Sequence, residues 1–348
     1  MEDYDDFELF DLIEQQQDES AVCKETFESY LGRISDTQFF EAYRMTKQCF
    51  MVIYDALDYP HKKRGNFLDP KFELLVLLRY LATGSFMLIA GDLLSISKST
   101  AHGFIHRAMK IVCKSASKWI KFPSDIETVK QDFQAKFEFP GVIGAIDCTH
   151  VKMESIGGPL AEVYRNRKGV FSINVQAVCG PKLMFFDVVA RWPGSTHDSR
   201  IFSNSRLNFD LESGKFSDGY LLGDAGYPLK IFLMTPYSNP SNHSQKRYNK
   251  RHSQTRMFIE KAFGVLKRRF PLLKHGVKMR KGEDNCMLIL AAFVLHNMII
   301  HFKYDVMFEH ILEQEEYARD VYAEMINQDE SSEEAIRKRD FIANSFIN

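Results

Sequence analysis

The sequence predicts a mixed α/β chain: an all-helical segment first, then a sheet-based domain with helices laid over it. Three observations carry that prediction. Apolar residues recur at helical spacing through the first third, most densely over Phe72–Ala82. Short apolar runs bounded by glycine and proline follow from about residue 136. Two more helical stretches come after them, Gln254–Phe270 and Asn285–Phe302. Strands followed by helices fold into a mixed sheet covered by those helices.

Composition bounds the answer. A chain of 348 residues suggests roughly two domains. With 45% hydrophobic and 26% charged residues, wholesale disorder and collagen-like repetition are excluded. The net charge of −1 would argue against a polyanionic partner. Its distribution says otherwise. Residues 1–20 hold nine acids and no base, and residues 305–348 hold twelve acids against four bases. Residues 244–281 hold thirteen Lys/Arg and a single acid, Glu260. Such polarisation suggests a nucleic-acid surface flanked by acidic tails.

Taken in order, residues 1–20 read as an acidic tail and 21–135 as helical. The Phe72–Ala82 helix stops at Thr83-Gly84. A second short helix fits Phe86–Leu94, Ser95-Ile96-Ser97 makes a turn, and a third helix runs from Lys98 to about Cys113. This trio has the outline of a helix-turn-helix. Ala90, Leu94, Ile96, Ala101 and Ile105 fall on its inner side; Lys98, Ser99, Thr100, His102, His106, Arg107 and Lys110 face out. The start of the last helix in such a motif enters the major groove. Lys98, Ser99, Thr100, His102 and Arg107 are therefore candidate DNA contacts. An ordinary three-helix bundle with a solvated basic face has the same pattern.

From 136 to 304 the sheet-based domain is expected. Val142–Met153, Ser172–Cys179 and Leu183–Ala190 read as strands, the last two joined by a Gly180-Pro181 hairpin. Asp198–Ser205 reads as a short helix and Tyr220–Asp224 as a fourth strand; 238–253 reads as a polar loop. Residues 305–348 read as an acidic C-terminal tail. Asn285–Phe302 approaches membrane-spanning length, but His296, Asn297 and His301 mark it as a buried core helix. The six cysteines make no C-x-x-C pair and read as reduced thiols of an intracellular protein.

Three acids stand out. Asp147 follows the apolar run Val142–Ile146, where a carboxylate is costly unless paired or metal-bound. Asp224 ends a strand, where α/β sheets build sites. Glu260 borders a helical stripe of Ile259, Phe263, Leu266 and Phe270, with Arg256 four residues before it and Lys267 seven after. Two aspartates and a glutamate are an all-oxygen set suited to Mg²⁺ or Mn²⁺. Two such ions can activate a water and stabilise the leaving oxygen of a phosphodiester. Each acid also has a plainer role open to it. Asp147 could pair a core arginine, Asp224 could make an Asx turn before Gly226, and Glu260 could pair with Arg256. Ser195-Thr196-His197-Asp198 is no triad, because triads are assembled from separated positions. Gly157-Gly158-Pro159 is a turn and not a phosphate loop.

At these residues the chain resembles the PIF/Harbinger-type DNA transposases and their domesticated nuclease relatives. Seven blocks in order carry the resemblance. They are Gly144–Val151; Tyr164–Gly169 leading into Ser172–Gln176; Trp192–Ser199; Leu222–Leu229; Tyr248-Asn249 with Arg251-His252-Ser253; Arg256–Phe270; and Leu295-His296-Asn297. The resemblance implies an RNase H-like catalytic domain with Asp147, Asp224 and Glu260 as its DDE triad, holding two Mg²⁺ or Mn²⁺ ions. It leaves the role of Asp198 open.

It also implies cleavage of double-stranded DNA, a helix-turn-helix reading terminal repeats, and a separate Myb-like partner protein. The backbone would be gripped by Arg167, Lys168, Lys250, Arg251, Arg256, Lys267, Arg268 and Arg269. A homodimer or higher oligomer is expected when it acts, since transposition needs two active sites. The nucleus is the expected compartment, the cytoplasm a second one, and no membrane is involved. An active transposase, a domesticated nuclease and a transposase-derived DNA-binding protein without transposition all remain open.

Overall fold

The computed structural model describes residues 26–59, 69–84, 96–159, 161–216, 218–279, 281–304 and 332–346. The acidic stretch 1–20 and the expected helix 86–94, with its inward Ala90 and Leu94, lie outside them.

The chain begins with α1 (Phe27–Arg33), α2 (Asp36–Tyr43) and α3 (Lys47–Ala56), each started by a hydroxyl that accepts from the first-turn backbone: Thr26, Ser35 and Thr46. The leucine-dense helix is α4 (Lys71–Thr83), and Gly84 ends it in the left-handed conformation expected of Thr83-Gly84. Helix α5 (Lys98–Lys114) starts at Ser97, whose Oγ accepts from Thr100 N at 3.1 Å. Ala101 and Ile105 are buried, while Lys98 and Ser99 are exposed. Short α6 (Ala116–Trp119) and α7 (Ile126–Phe137) complete the helical run.

Five strands form one sheet in the order β3-β2-β1-β4-β5. They are β1 (Val142–Lys152), β2 (Ser172–Cys179), β3 (Phe185–Pro193), β4 (Tyr220–Leu222) and β5 (Leu233–Met234). The first three pair antiparallel; β4 runs parallel to β1 and β5 parallel to β4. Helices α8 (Asp198–Ser203) and α9 (Arg206–Glu212) connect β3 to β4. Between Arg206 and Arg269 three elements were not anticipated. Helix α9 and the two-residue β5 are too short for a periodic signal.

The third is the first half of α10 (His243–Arg269), which occupies much of the expected polar loop. Asn242 caps it by accepting from Gln245 N at 2.9 Å. Its buried residues Ser244, Tyr248, His252, Thr255, Ile259, Ala262 and Leu266 fall at helical spacing. The stripe begins with polar side chains, so hydropathy alone hides it.

The sheet is covered on both sides. One apolar cluster joins Val151, Ile173, Val175 and Ala177 to Ile259 and Phe263 of α10, to Leu272 of the short α11 (Leu272–His275), and to Leu288 and Leu295 of α12 (Gly282–His301). That cluster continues through Ile105 and Leu78 to Phe50 and Phe27. The helical segment therefore shares a core with one sheet face. The other cluster joins Ile146 and Val178 to Phe133 of α7, Leu207 of α9 and Ile342 of α13 (Glu333–Ser345). Helix α13 thus forms part of the fold within the stretch read as an acidic tail. Its Ala335, Arg339, Ile342 and Ala343 are buried on one face of a helix that carries three acids and three bases.

Helix α12 is long and apolar enough to cross a membrane, yet it packs inside the protein against α5, α6 and β3. Its Asn297 makes the polar link. Nδ2 donates to Trp119 O at 2.9 Å and Phe185 O at 2.7 Å, and Oδ1 accepts from Phe185 N at 2.9 Å.

Candidate active site

Strand pairing brings the two aspartates together. In the parallel pair β1/β4, Ala145 stands beside Leu222. Asp147 and Asp224 each lie two residues further on, at one level of the pair: Asp147 is mid-strand in β1, paired with Ala177 of β2, while β4 has ended at Leu222. Asp224 thus stands at the carboxyl end of its strand, where the backbone leaves the sheet and its side chain can converge on that of Asp147.

Each carboxylate is anchored by backbone. Asp147 Oδ1 accepts from Cys148 N at 2.8 Å, and Asp224 Oδ1 accepts from Gly226 N at 2.9 Å. The second is the Asx turn open to Asp224 from sequence. The strand β1 is buried from Val142 to Ile146 and opens at Asp147, which is 16% exposed at its side chain.

Helix α10 supplies the third acid and a cation. Arg256 Nη1 donates to Asp147 Oδ2 at 2.8 Å, and Arg256 Nη2 donates to Glu260 Oε1 one turn further along the helix. One guanidinium therefore ties the first and third acids. The pairing of Glu260 with Arg256 was open from sequence; the reach of Arg256 across to Asp147 was not, because 109 residues separate them.

The electrostatics show one negative cluster. The Asp147 carboxyl is pushed up to about 7: burial raises it most, Arg256 pulls it back, and Asp224 and Asp198 add to the rise. Asp224 is raised by burial and by Asp198 and Glu260, against Arg256. Burial works against the Arg256 charge, but Asp147, Glu260 and Asp224 hold its pKa above the ordinary value. Asp198, whose role sequence left open, sits in the first turn of α8 and accepts from Asn174 Nδ2 at 2.9 Å. Its charge is felt at Asp147, Asp224 and Cys148.

Do these residues suit a divalent ion? The donors are hard oxygens, and Asp147, Asp224 and Glu260 share one arginine, so the cluster has negative charge to spare. Among the described residues, however, no three His, Cys, Asp or Glu side chains converge closely enough to hold a metal ion. The guanidinium is the cation that bridges Asp147 and Glu260 in this arrangement. The donor chemistry fits; the ion's place requires Arg256 to yield.

The candidate DNA contacts separate into two groups. Lys168 and Lys250 are exposed, as are Lys98 and Ser99. Arg167 is exposed and bonded to His197 Nδ1 at 2.6 Å. Arg107 pairs with Glu73 at 2.9 Å, and Thr100 and Arg268 are half-buried. Lys267 reaches β1, donating to Thr149 Oγ1 at 2.6 Å and His150 O at 3.1 Å; burial lowers its pKa to about 8. Arg251 is 14% exposed and braces α7, donating to Glu138 O at 3.0 Å and pairing with the Glu138 carboxylate.

Arg269 is a correction. It is fully buried and bonded to His296 Nδ1 at 2.8 Å, because its position on α10 faces α12 and not solvent. It cannot grip a phosphate. Sequence reasoning also missed the Cys148–Tyr227 contact, 3.3 Å from Sγ to Oη, beside the acids.

Comparison with known proteins follows the same residues. A family model described as DDE superfamily endonuclease matches residues 146–297, which contain all three acids. The human protein named "Putative nuclease HARBI1" is 32% identical over 286 residues, covering 79% of this chain and 81% of its own. The bovine protein of the same name shows the same identity and coverage. The Arabidopsis thaliana "Protein ALP1-like" is 29% identical over 293 residues, covering 77% and 72%. No solved structure matches.

Proposed function

Because the chain belongs to the DDE superfamily endonuclease family, in its PIF/Harbinger-type branch, we propose that it is a divalent-metal-dependent nuclease cleaving DNA phosphodiester bonds. The observation that carries this reading is the meeting of Asp147 and Asp224 at one level of β1/β4, with Arg256 linking Asp147 to Glu260. The strand order, antiparallel through β1 and then parallel, supports an RNase H-like catalytic domain.

Asp147, Asp224 and Glu260 would hold Mg²⁺ or Mn²⁺, up to two ions. Bound there, such ions supply Lewis acidity for the attacking water and for the leaving oxygen. The chain's own residues prepare that arrangement. The amides of Cys148 and Gly226 fix one oxygen of each aspartate, and Arg256 holds the second oxygen of Asp147. Burial in the sheet keeps bulk water from the inner oxygens. Arg256 keeps the apo cluster compact, and a phosphate arriving beside it offers the guanidinium a new bidentate partner. Lys267, anchored on β1, and exposed Lys168 and Lys250 would hold the backbone without reading bases. Sequence choice would fall to the start of α5, through Lys98, Ser99 and Thr100. Double-stranded DNA as substrate, a Myb-like partner, dimeric action and nuclear residence belong to this same proposal.

The test is cleavage of supercoiled and gene-flanking DNA in Mg²⁺ and in Mn²⁺, wild type beside Asp224→Asn. Nicking that needs the ion and disappears in the variant is the expected result. Equal cleavage by both proteins would remove the triad. A second reading is a transposase-derived DNA-binding protein without transposition. The guanidinium lodged between Asp147 and Glu260 favours it, and it predicts ion-independent DNA binding with no nicking in either protein.

A further inference from the structure

We propose that His102 and His106 form a binding site for a transition-metal ion of the Zn²⁺ class, separate from the acidic cluster, where α5 faces the start of α12. The two residues lie one helical turn apart on α5, so both imidazoles project from one face. Their Nε2 atoms stand 3.1 Å apart and their ring centroids 4.3 Å apart. That nitrogen separation can be a hydrogen bond between unlike tautomers, or a gap spanned by one ion. Zinc–imidazole bonds of about 2.0–2.1 Å place two nitrogens about 2.9 Å apart at a right angle and about 3.4 Å at the tetrahedral angle. The observed spacing lies between those values.

Asp284, in the first turn of α12, is an independent pointer. Its Oδ1 lies 3.7 Å from Nδ1 of His106, on the far side of the ring from His102. A carboxylate behind an imidazole favours the tautomer with hydrogen on Nδ1 and a lone pair on Nε2. At 3.7 Å the pair is within ion-pair reach and outside hydrogen-bond distance; closing it by a few tenths of an ångström gives the outer-shell arrangement of ligating histidines. The His106 and Asp284 side chains are 18% and 19% exposed, sheltered yet reachable by water, which would fill the remaining coordination positions.

The charges facing His106 define the ion. Lys110 and Lys281 set positive charge near its ring, and Asp284 sets negative charge there. The same lysines repel cations held by charge alone. Ions that bond well to imidazole nitrogen, such as Zn²⁺, Ni²⁺ and Cu²⁺, meet that condition; Mg²⁺, which prefers oxygen, does not. The consequence is mechanical. An ion at this site, backed by Asp284, would fasten α5 to the start of α12, and it would withdraw His102 from the set of DNA contacts.

The experiment uses the full chain, freed of metal by chelator and titrated with Zn²⁺ in a calorimeter. Wild type is expected to bind one ion that the His102→Gln/His106→Gln double variant does not. Asp284→Asn should weaken binding about tenfold. Nitrogen hyperfine splitting from bound Cu²⁺ should report two imidazoles in wild type, a readout that does not depend on whether the variants fold. No Zn²⁺ binding by wild type would leave only a hydrogen bond and overturn the proposal. So would an equal number of Zn²⁺ ions bound by wild type and by the double variant, which would place every ion elsewhere, the acidic cluster included.

Discussion

Replacing Asp147 by asparagine tests the acidic cluster through stability alone. The Asp147 carboxyl titrates at about 7 in the fold, against about 3.9 in an unfolded chain. Three decades of pH at 1.36 kcal/mol each amount to about 4 kcal/mol against the ionised form. The sign follows from the direction. Below pH 4 both states carry the proton and there is no cost. As pH rises towards 7 the unfolded chain ionises while the folded one keeps its proton, so stability is lost and the full loss is reached above 7. Between pH 5 and pH 8 the loss from this one group is about 2–3 kcal/mol.

Urea denaturation in chelator at those two pH values measures it. Wild type should lose that amount more than Asp147→Asn between pH 5 and pH 8, because groups elsewhere titrate alike in both proteins. Saturating Mn²⁺ should flatten the wild-type profile, since a bound cation favours the ionised carboxylate. Parallel pH profiles for the two metal-free proteins would refute the description of a buried, charge-strained aspartate.

Arg256→Met should cost the metal-free protein about 3 kcal/mol, because two carboxylates lose their shared cation; thermal melts should show Mn²⁺ recovering much of it. Arg269→Gln should lower stability by several kcal/mol and leave the salt dependence of DNA binding unchanged, since Arg269 is buried against His296. Lys168→Gln should do the reverse, lowering the log–log salt slope by about 0.9; equal slopes for the two variants would undo that distinction. Lys267, with its pKa near 8, is depressed and so loses charge early. Raising pH from 7 to 9 should reduce the wild-type salt slope by close to one contact, and Lys267→Met should abolish that change.

Much of the fold was legible because its signals are local. The Thr83-Gly84 stop, the apolar runs of β1 and β2, and the Ile259–Phe270 stripe each depend on neighbours in sequence. The start of α10 escaped because Ser244, His252 and Thr255 are polar yet buried, a fate set by the sheet edge they meet. Helix α13 was read as solvated for the same reason: three small or aliphatic residues suffice once a second surface is present. Arg269 shows the limit most plainly. Lys267, Arg268 and Arg269 are adjacent and basic, and helical rotation sends the third into the core while its neighbours stay half-buried.

By itself the sequence determined which side chains could do chemistry: the three acids, their order, the basic field around Glu260, and the family those blocks belong to. Residue type and short-range spacing carry that information. Tertiary structure alone decided the partners. The parallel register of β1 and β4 set Asp147 beside Asp224, and the path of α10 laid Arg256 across to Asp147. The packing of α5 against α12 brought Asp284 behind His106. These are contacts between residues far apart in the chain. Their energies depend on burial and on distance in space, and neither is written in local sequence.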